Sequence, residues 1–221
     1  MLKVGLTGGI ASGKTVVGEM FVALGARLVQ ADRISHELML PGQSVYKEVV
    51  RHFGQGILNA DGSVNRSKLA ELVFGAPVSP GAQPSRIEEL NRIVHPAVIQ
   101  KHDEWMDEMG RQDPNVVAIV EAALMIEAGA ADHFARLIVV TCTEEQRVVR
   151  FAERQKIDLE SARKEVLRRM AAQLPDEEKI KAADFVIDNS GLLESTRRQV
   201  EETWKTLRDE AQRSSRTALS S

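Results

Sequence analysis

The sequence has few of the features that mark secreted, membrane-bound or nucleic-acid-binding proteins. Its one cysteine, Cys142, cannot form an internal disulfide bond, so stability does not depend on an oxidising compartment. No apolar run is long enough to cross a bilayer, and the amino terminus lacks a signal-peptide pattern. Lys and Arg number 29 against 32 Asp and Glu, without the basic surplus of a general nucleic-acid binder. We therefore expect a cytoplasmic protein with no nucleic-acid or membrane partner, and no obligate protein partner is evident.

The sequence does show a regular alternation of short apolar segments with longer amphipathic ones. The short segments are typical of buried strands, and the longer ones have the apolar spacing of helices. The predicted strands are residues 2–7, 26–31, 116–120, 137–140 and 185–187. The predicted helices are residues 13–24, 45–53, 66–74, 86–109, 144–155, 159–173 and 192–212. This order predicts an α/β fold with a parallel sheet of about five strands flanked by helices.

Two helical regions interrupt this alternation within a single predicted domain, residues 1–212. Residues 1–40, 112–143 and 184–212 supply the predicted sheet core. Residues 41–111 are predicted to form a helical insertion, in which the Pro-, Gly- and Ser-rich segment 76–85 is a mobile surface loop. Residues 144–183 are predicted to form an arginine-rich helical lid. Residues 213–221 are predicted to be a disordered polar tail.

The turn after the first strand carries the pattern Gly-x-x-x-x-Gly-Lys-Ser/Thr between a predicted strand and helix, the context expected for a phosphate-binding loop. Its residues are Gly8, Gly9, Ile10, Ala11, Ser12, Gly13, Lys14 and Thr15, and Val16 completes the predicted nucleotide-binding segment. Glycines let successive N–H groups face a phosphate, and the helix amino terminus adds partial positive charge. Lys14 is predicted to reach the β and γ phosphates of ATP, and Thr15 to ligate Mg²⁺. The pattern predicts an ATP-dependent phosphotransferase.

Carboxylates follow two of the predicted strands. Asp32 comes after the second strand, at the same sheet edge as the loop, and is a candidate general base for an acceptor hydroxyl. The alternative is that Asp32 only caps the following helix. Glu121 follows the third strand, where such proteins hold Mg²⁺ through water. Glu127, nearby, is either a site residue or a solvated residue at a helix start.

The predicted lid is rich in arginine. Its arginines between residues 144 and 170 are Arg147, Arg150, Arg154, Arg163, Arg168 and Arg169. Positive charge on a closing lid would stabilise a phosphoryl group in transfer. The alternative is a solvated face with ion pairs to the neighbouring glutamates.

Two further residues are weighed from their chemistry alone. His95 precedes Pro96, which predicts a break in the helix there. The histidine either faces the acceptor site or satisfies backbone groups, and its chemistry alone favours the second. Cys142 has no evident activating base and is predicted to be a core residue.

The phosphate loop is common to many kinases, and it is accompanied by Ala31-Asp32 and Asn65-Arg66. Three other segments are together far more specific: Val94-His95-Pro96, Gln146-Arg147 with Arg150, and Ala183-Asp184-Phe185-Val186-Ile187-Asp188-Asn189 with Gly191. In these segments the chain, from about residue 2 to residue 204, resembles the dephospho-coenzyme A kinase family.

The resemblance implies ATP-dependent phosphorylation of the ribose 3′-hydroxyl of dephospho-coenzyme A, the last step of coenzyme A biosynthesis. It implies a P-loop kinase with Asp32 as the base and with Lys14 and Arg150 as catalytic cations. It further implies that Arg147, Asn189 and Gly191 contact ATP and that His95, Arg66 and Glu127 contact the acceptor. Thr15 and Glu121 would bind Mg²⁺.

The chain departs from the family pattern at three positions. Gln30 and Glu121 stand where the family often has Asp, and Ala123 stands where it often has Pro. The expected consequence is altered metal geometry. From the residues alone, a kinase for a nucleoside, nucleotide or sugar and a nucleotide-binding switch stay open as alternatives. The helical insertion and the lid favour a kinase, since a switch needs no acceptor cavity.

Overall fold

The chain folds around short parallel strands. The structure, a computed structural model, describes residues 1–74 and 86–219, with the backbone alone at residues 74 and 216–219. The strands are β1 Leu2–Gly8, β2 Arg27–Gln30, β3 Val117–Glu121, β4 Arg136–Thr141 and β5 Phe185–Asp188. They form one sheet in the order β2-β3-β1-β4-β5, with every neighbouring pair parallel. The predicted five-stranded parallel sheet is confirmed.

Helices connect and cover the strands. The first five are α1 Lys14–Leu24, α2 Ala31–Leu38, α3 Ser44–Phe53, α4 Arg66–Phe74 and α5 Ile87–Gln112. The remaining ones are α6 Glu144–Gln155, α7 Leu159–Ala171, α8 Asp176–Ala182 and α9 Leu193–Leu219. The predicted loop 76–85 lies outside the described residues.

The chain packs as two compact units. The first, Met1–Gln30 with Trp105–Ser221, contains the whole sheet, α1 and α6 to α9. The second, Ala31–Glu104, contains α2, α3, α4 and most of α5.

The main core of the first unit lies between one face of the sheet, α1 and α9. Its members on the strands include Val4, Leu6, Ile119, Ile138 and Ile187, and those on the helices include Val17, Phe21, Val200 and Leu207. Alternation along each strand turns every second side chain toward these helices. Parallel strands end at a common edge, so Gly8, Gln30, Glu121, Thr141 and Asp188 meet where ligands bind in sheets of this kind.

The predicted break at His95 is wrong, because α5 Ile87–Gln112 continues through Pro96. A proline inside a helix removes one backbone hydrogen bond and typically costs about 3 kcal/mol. Val94 and Val98 are both buried on either side of Pro96, and their packing offsets this cost. His95 therefore lies within the helix and is half-buried.

The prediction of a disordered tail is also wrong as far as residue 219, because α9 Leu193–Leu219 extends over it. Ser215 is buried, and its hydroxyl donates a hydrogen bond to Asn115 Oδ1. Extending an existing helix does not require a new nucleation step. The polar residues 213–219 can therefore continue α9 without an apolar pattern of their own. Residues 220 and 221 lie outside the described residues.

Candidate active site

The phosphate loop lies at the centre of the sheet edge, between the end of β1 and the start of α1. Gly13 precedes α1 with φ of +97°, a left-handed conformation that favours glycine, and no side chain caps the helix there. A Cβ at Gly13 would lie 2.1 Å from Asn189 Nδ2, so the absence of a side chain also permits this close approach. The first N–H groups of α1 therefore lack a side-chain cap and can bind an anion.

Lys14 folds back over the loop. Its ammonium donates hydrogen bonds to the carbonyl oxygens of Gly8 at 2.9 Å and Gly9 at 3.1 Å. These contacts hold the positive charge above the loop, where a phosphate group would meet it.

Thr15 and Glu121 lie together as a hydroxyl–carboxylate pair. The Thr15 hydroxyl donates to Glu121 Oε1 at 2.9 Å, and the Gln30 amide donates to Oε2 of the same carboxylate at 3.1 Å. Glu121 is 8% exposed. Each carboxylate oxygen thus accepts a hydrogen bond from a different element of the fold.

This donor set fits magnesium. Mg²⁺ prefers oxygen ligands and is usually bound through one or two side chains, phosphate oxygens and water instead of an all-protein cage. Among the residues that the structure describes, no group of three or more His, Cys, Asp or Glu side chains could hold a metal ion. A hydroxyl and a carboxylate beside a phosphate loop agree with this mode of binding.

Arg150 reaches the phosphate loop from α6. Its guanidinium donates to the carbonyl oxygens of Ser12 at 3.2 Å and Asn189 at 2.9 Å. It therefore places positive charge at the loop.

Arg147 is fully buried. Its guanidinium donates to the Ile10 carbonyl oxygen at 3.3 Å and forms an ion pair with Asp176 of α8. In this structure Arg147 thus ties the phosphate loop to α6 and α8.

Asn189 joins the end of β5 to the loop. Its side-chain amide donates to Ser12 O at 2.9 Å and accepts from the Thr196 hydroxyl at 3.1 Å. Gly191 follows at an exposed position, and Val16 is exposed on α1. Of these three predicted nucleotide-binding residues, Asn189 contacts the phosphate loop directly.

Glu127 lies in a largely buried ion pair. Its Oε1 accepts from the Leu174 backbone N–H at 3.1 Å and lies 3.1 Å from Lys179 Nζ, whose side chain is fully buried. The ammonium has no well-directed hydrogen bond, so the attraction is mainly electrostatic. The structure thus uses Glu127 to anchor α8.

Cys142 lies beside the phosphate loop, with its Sγ 3.8 Å from the Ala11 carbonyl oxygen. Burial raises the pKa of its thiol, and the positive charges of Arg147 and Arg150 only partly oppose this. A thiol with a raised pKa is a weak nucleophile at neutral pH.

The second unit contains Asp32, Arg66 and His95. Asp32 lies in the first turn of α2, which begins at Ala31, and its side chain is exposed. Asp32 and His36 lie one helical turn apart on α2. Burial and then the charge of Arg66 lower the pKa of His36, and the carboxylate of Asp32 opposes them. The structure therefore brings Asp32, His36 and Arg66 into one electrostatic neighbourhood.

His95 lies elsewhere in the second unit, on α5. Burial lowers the pKa of its imidazole, so the neutral form is favoured at pH 7.

Sequence reasoning missed several residues that organise the site. Gln30 holds Glu121, Gln173 accepts a hydrogen bond from the Ile10 N–H at 3.3 Å, Asp176 pairs with Arg147, and Lys179 pairs with Glu127. For Lys179 the sequence carries a partial signal. Pro175 and Asp176 mark the start of a short helix, and Lys179 follows them by one helical turn.

The chain also resembles known proteins over almost its full length. A family model described as dephospho-CoA kinase (CoaE) matches residues 2–195. A dephospho-CoA kinase from Geobacter metallireducens is 40% identical over 205 residues, covering 93% of this chain and 96% of that protein. One from Leifsonia xyli is 36% identical over 208 residues, covering 94% and 100%.

Solved structures resemble the fold as well. TT1252 from Thermus thermophilus aligns with a TM-score of 0.72 at 29% identity, covering 93% of this chain and 97% of that one. A dephospho-CoA kinase from Campylobacter jejuni aligns with a TM-score of 0.56 at 24% identity, covering 93% and 96%. The second match supports the fold alone. Within the described part of the chain, no helix is both long and apolar enough to span a membrane.

Proposed function

The chain belongs to the dephospho-CoA kinase family, and we propose specific roles for its residues in that reaction. It is an enzyme that phosphorylates dephospho-CoA with ATP, the last step of coenzyme A biosynthesis. The observation that best supports the proposed roles is the phosphate loop with the Thr15–Glu121 pair beside it.

The phosphate loop, residues 8–15 with Val16, is proposed to bind the phosphates of ATP. The N–H groups at the start of α1 would bind phosphate oxygens. Lys14 would exchange its carbonyl contacts for the β and γ phosphates, since phosphate oxygens are the stronger acceptors of its charge. Asn189 and Gly191 are proposed to lie beside the adenine.

Magnesium is proposed to be held by Thr15 directly and by Glu121 through water. Bound there, Mg²⁺ would neutralise charge on the β and γ phosphates. Glu121 would keep its hydrogen bond from the Thr15 hydroxyl, whose oxygen has lone pairs left for the metal.

Arg150 is proposed to stabilise the phosphoryl group in transfer. Its contact with the Ser12 carbonyl oxygen supports this role, because it puts a positive charge beside the loop that would hold the phosphates. For Arg147 we propose a phosphate contact of the same kind, which would require its ion pair with Asp176 to open.

Asp32 is proposed as the general base for the ribose 3′-hydroxyl. The hydroxyl oxygen would bond to the γ phosphorus as its proton passes to the Asp32 carboxylate, and the bond to the β–γ bridging oxygen would break to release ADP. The proposal for Asp32 is supported by its sequence position, two residues after Gln30, the last residue of β2.

Residues 41–111 are proposed to be the acceptor-binding insertion and residues 144–183 the lid. His95, Arg66 and Glu127 are proposed to contact dephospho-CoA. For Glu127 such a contact would compete with its ion pair to Lys179. A cytoplasmic location, without nucleic-acid, membrane or obligate protein partners, completes the proposal.

The test is ADP release from ATP and Mg²⁺ with dephospho-CoA, compared with adenosine, AMP and simple sugars as acceptors. We expect turnover with dephospho-CoA alone. Asp32→Asn should lower kcat by about 10²–10⁴-fold and leave the KM for ATP within twofold, because the base acts only in the chemical step. Glu37→Gln on the same helix, where Glu37 pairs with Arg33 at the surface, is the matched control. Full activity of Asp32→Asn would rule out its role as the base.

A further inference from the structure

Gln30 and Glu121 are direct neighbours across two parallel strands. Gln30 is the last residue of β2 and Glu121 the last of β3, and the strand register pairs them. Register neighbours in a sheet point to the same face, so the two side chains meet. The Gln30 Nε2 lies 3.1 Å from Glu121 Oε2.

The direction of this hydrogen bond follows from the chemistry of its partners. An ionised carboxylate only accepts hydrogen bonds, so the amide nitrogen of Gln30 must be the donor. A carboxylate at position 30 would instead face Glu121 with a like charge at contact distance, which disfavours ionisation of both groups.

Gln30 and Thr15 together hold both oxygens of Glu121. Thr15 donates to Oε1 from α1, and Gln30 donates to Oε2 from β2. A carboxylate held at both oxygens in a nearly buried site loses most of its rotational freedom.

We infer that Gln30 is a positioning residue for the metal site, acting through Glu121. The Glu121 side chain has one more rotatable bond than an aspartate would have. The hydrogen bond from the Gln30 amide to Oε2 restricts rotation about that bond. Without this hydrogen bond, Glu121 would adopt several rotamers and would present its oxygens to hydrated Mg²⁺ for only part of the time. The inference rests on the proposed magnesium site at Thr15 and Glu121.

The experiment measures metal binding directly. Mn²⁺ affinity of the full-length enzyme with saturating ADP is followed by electron paramagnetic resonance, and Mg²⁺ affinity by competition. Gln30→Leu keeps a similar volume without the donor, and Gln30→Asn keeps an amide that is too short to reach. Both should weaken metal affinity about tenfold, the range seen when a partner of a metal-binding side chain is removed. Metal-free ADP affinity should change little.

Gln112→Leu is the matched control. Gln112 makes the same amide-to-carboxylate contact with Glu108, at 2.9 Å, on an exposed face of α5. Its loss should leave metal affinity unchanged. A change equal to that of Gln30→Leu would mean that the effect is not specific to the metal site, which overturns the inference.

Glu121→Gln separates the inference from the proposed function. If Glu121→Gln leaves metal affinity intact, the proposed magnesium site is wrong. If Glu121→Gln weakens it and both Gln30 variants do not, only the positioning role of Gln30 is wrong. If the role is right, the double variant Gln30→Leu/Glu121→Gln binds metal no more weakly than Glu121→Gln alone, because Gln30 then has no carboxylate to position.

Discussion

At the scale of single residues, Gly9 allows the phosphate loop to contact Arg147 of α6. A Cβ at Gly9 would lie 1.8 Å from Arg147 Nη1, closer than any side chain could tolerate. The guanidinium cannot simply move aside, because Arg147 is buried and bonded to both Ile10 and Asp176. The absence of a side chain at residue 9 thus makes room for the arginine that ties the loop to α6 and α8.

We therefore predict that Gly9→Ala destabilises the protein by about 1–3 kcal/mol, the usual cost of forcing an extra group into a packed site. Its free energy of unfolding in urea measures this. Gly56→Ala is the control, since a Cβ at Gly56 meets nothing within 4 Å, and it should stay within about 0.5 kcal/mol of the parent. Equal stability of the two variants would contradict the assigned role of Gly9.

The sequence allowed prediction of residues in a local pattern or at the end of a strand, and it failed for the hydrogen-bond and ion-pair partners of the site residues. The phosphate loop is a local pattern, and Glu121, 106 positions from Thr15, was predicted near it from its place after a strand. Gln30 contacts a residue 91 positions away, and Arg147 pairs with Asp176, 29 positions away. The family resemblance, and not charge alone, predicted Arg147 as a phosphate contact, and only the packing shows that its guanidinium is buried and already paired.

At the scale of elements, α8 is anchored by the ion pair between Lys179 and Glu127. The Lys179 side chain is fully buried and that of Glu127 is 18% exposed. Removing one partner of such a pair leaves an uncompensated buried charge, whereas removing both avoids it. The pair therefore holds α8 against the segment after β3.

We predict that Lys179→Met destabilises the protein by about 3 kcal/mol in urea unfolding. The double variant Glu127→Gln/Lys179→Met should recover most of that loss. Lys181→Met, on the same helix, removes an exposed pair with Glu178 and should cost less than about 0.5 kcal/mol. If the double variant is as unstable as Lys179→Met, then lost packing outweighs the unpaired charge of Glu127.

Helix α7 should contribute to the acid sensitivity of the protein through Glu165. Hydrogen bonds from Arg168 first, and also from Arg169, lower the pKa of the Glu165 carboxyl from 4.5 to about 2. A lowered folded-state pKa gives stability that is present above the unfolded value and lost as pH falls from about 4.5 toward 2. Because the pair lies at the surface, with the Arg168 side chain 49% and the Glu165 side chain 27% exposed, screening reduces its contribution to about 0.5 kcal/mol.

Glu165→Gln should therefore be slightly less stable at pH 7 and should lose less stability on acidification to pH 3. Urea midpoints at both pH values test this. Glu160→Gln, which removes a surface pair with Lys164 on the same helix, is the control. If the urea midpoints of Glu165→Gln and the parent fall equally between pH 7 and pH 3, Glu165 does not contribute to the acid sensitivity of the protein.

At the scale of the whole molecule, the two compact units divide the predicted site residues between them. The first unit holds the phosphate loop, Glu121, Arg150 and Asn189, and the second holds Asp32, Arg66 and His95. The sheet and seven of the nine labelled helices followed from strand and helix periodicity, whereas the short helices α2 and α8 did not. The uninterrupted α5 did not, because the packing around Pro96 outweighs its local preference.

This division predicts that the two substrates protect different amides from hydrogen exchange. ADP with Mg²⁺ should slow exchange mainly in β1 and α1 of the first unit, and dephospho-CoA mainly in α3 to α5 of the second. A ligand at 100 times its Kd stabilises the folded form of the unit that it binds by about 2.7 kcal/mol. Amides that exchange only when that unit unfolds should then exchange about 100-fold more slowly.

Lys14→Met should abolish the protection by ADP and keep the protection by dephospho-CoA, with Lys181→Met as its control. Protection of the first unit alone by dephospho-CoA would show that the acceptor does not bind the second unit, and Asp32, Arg66 and His95 would then lose their proposed roles together.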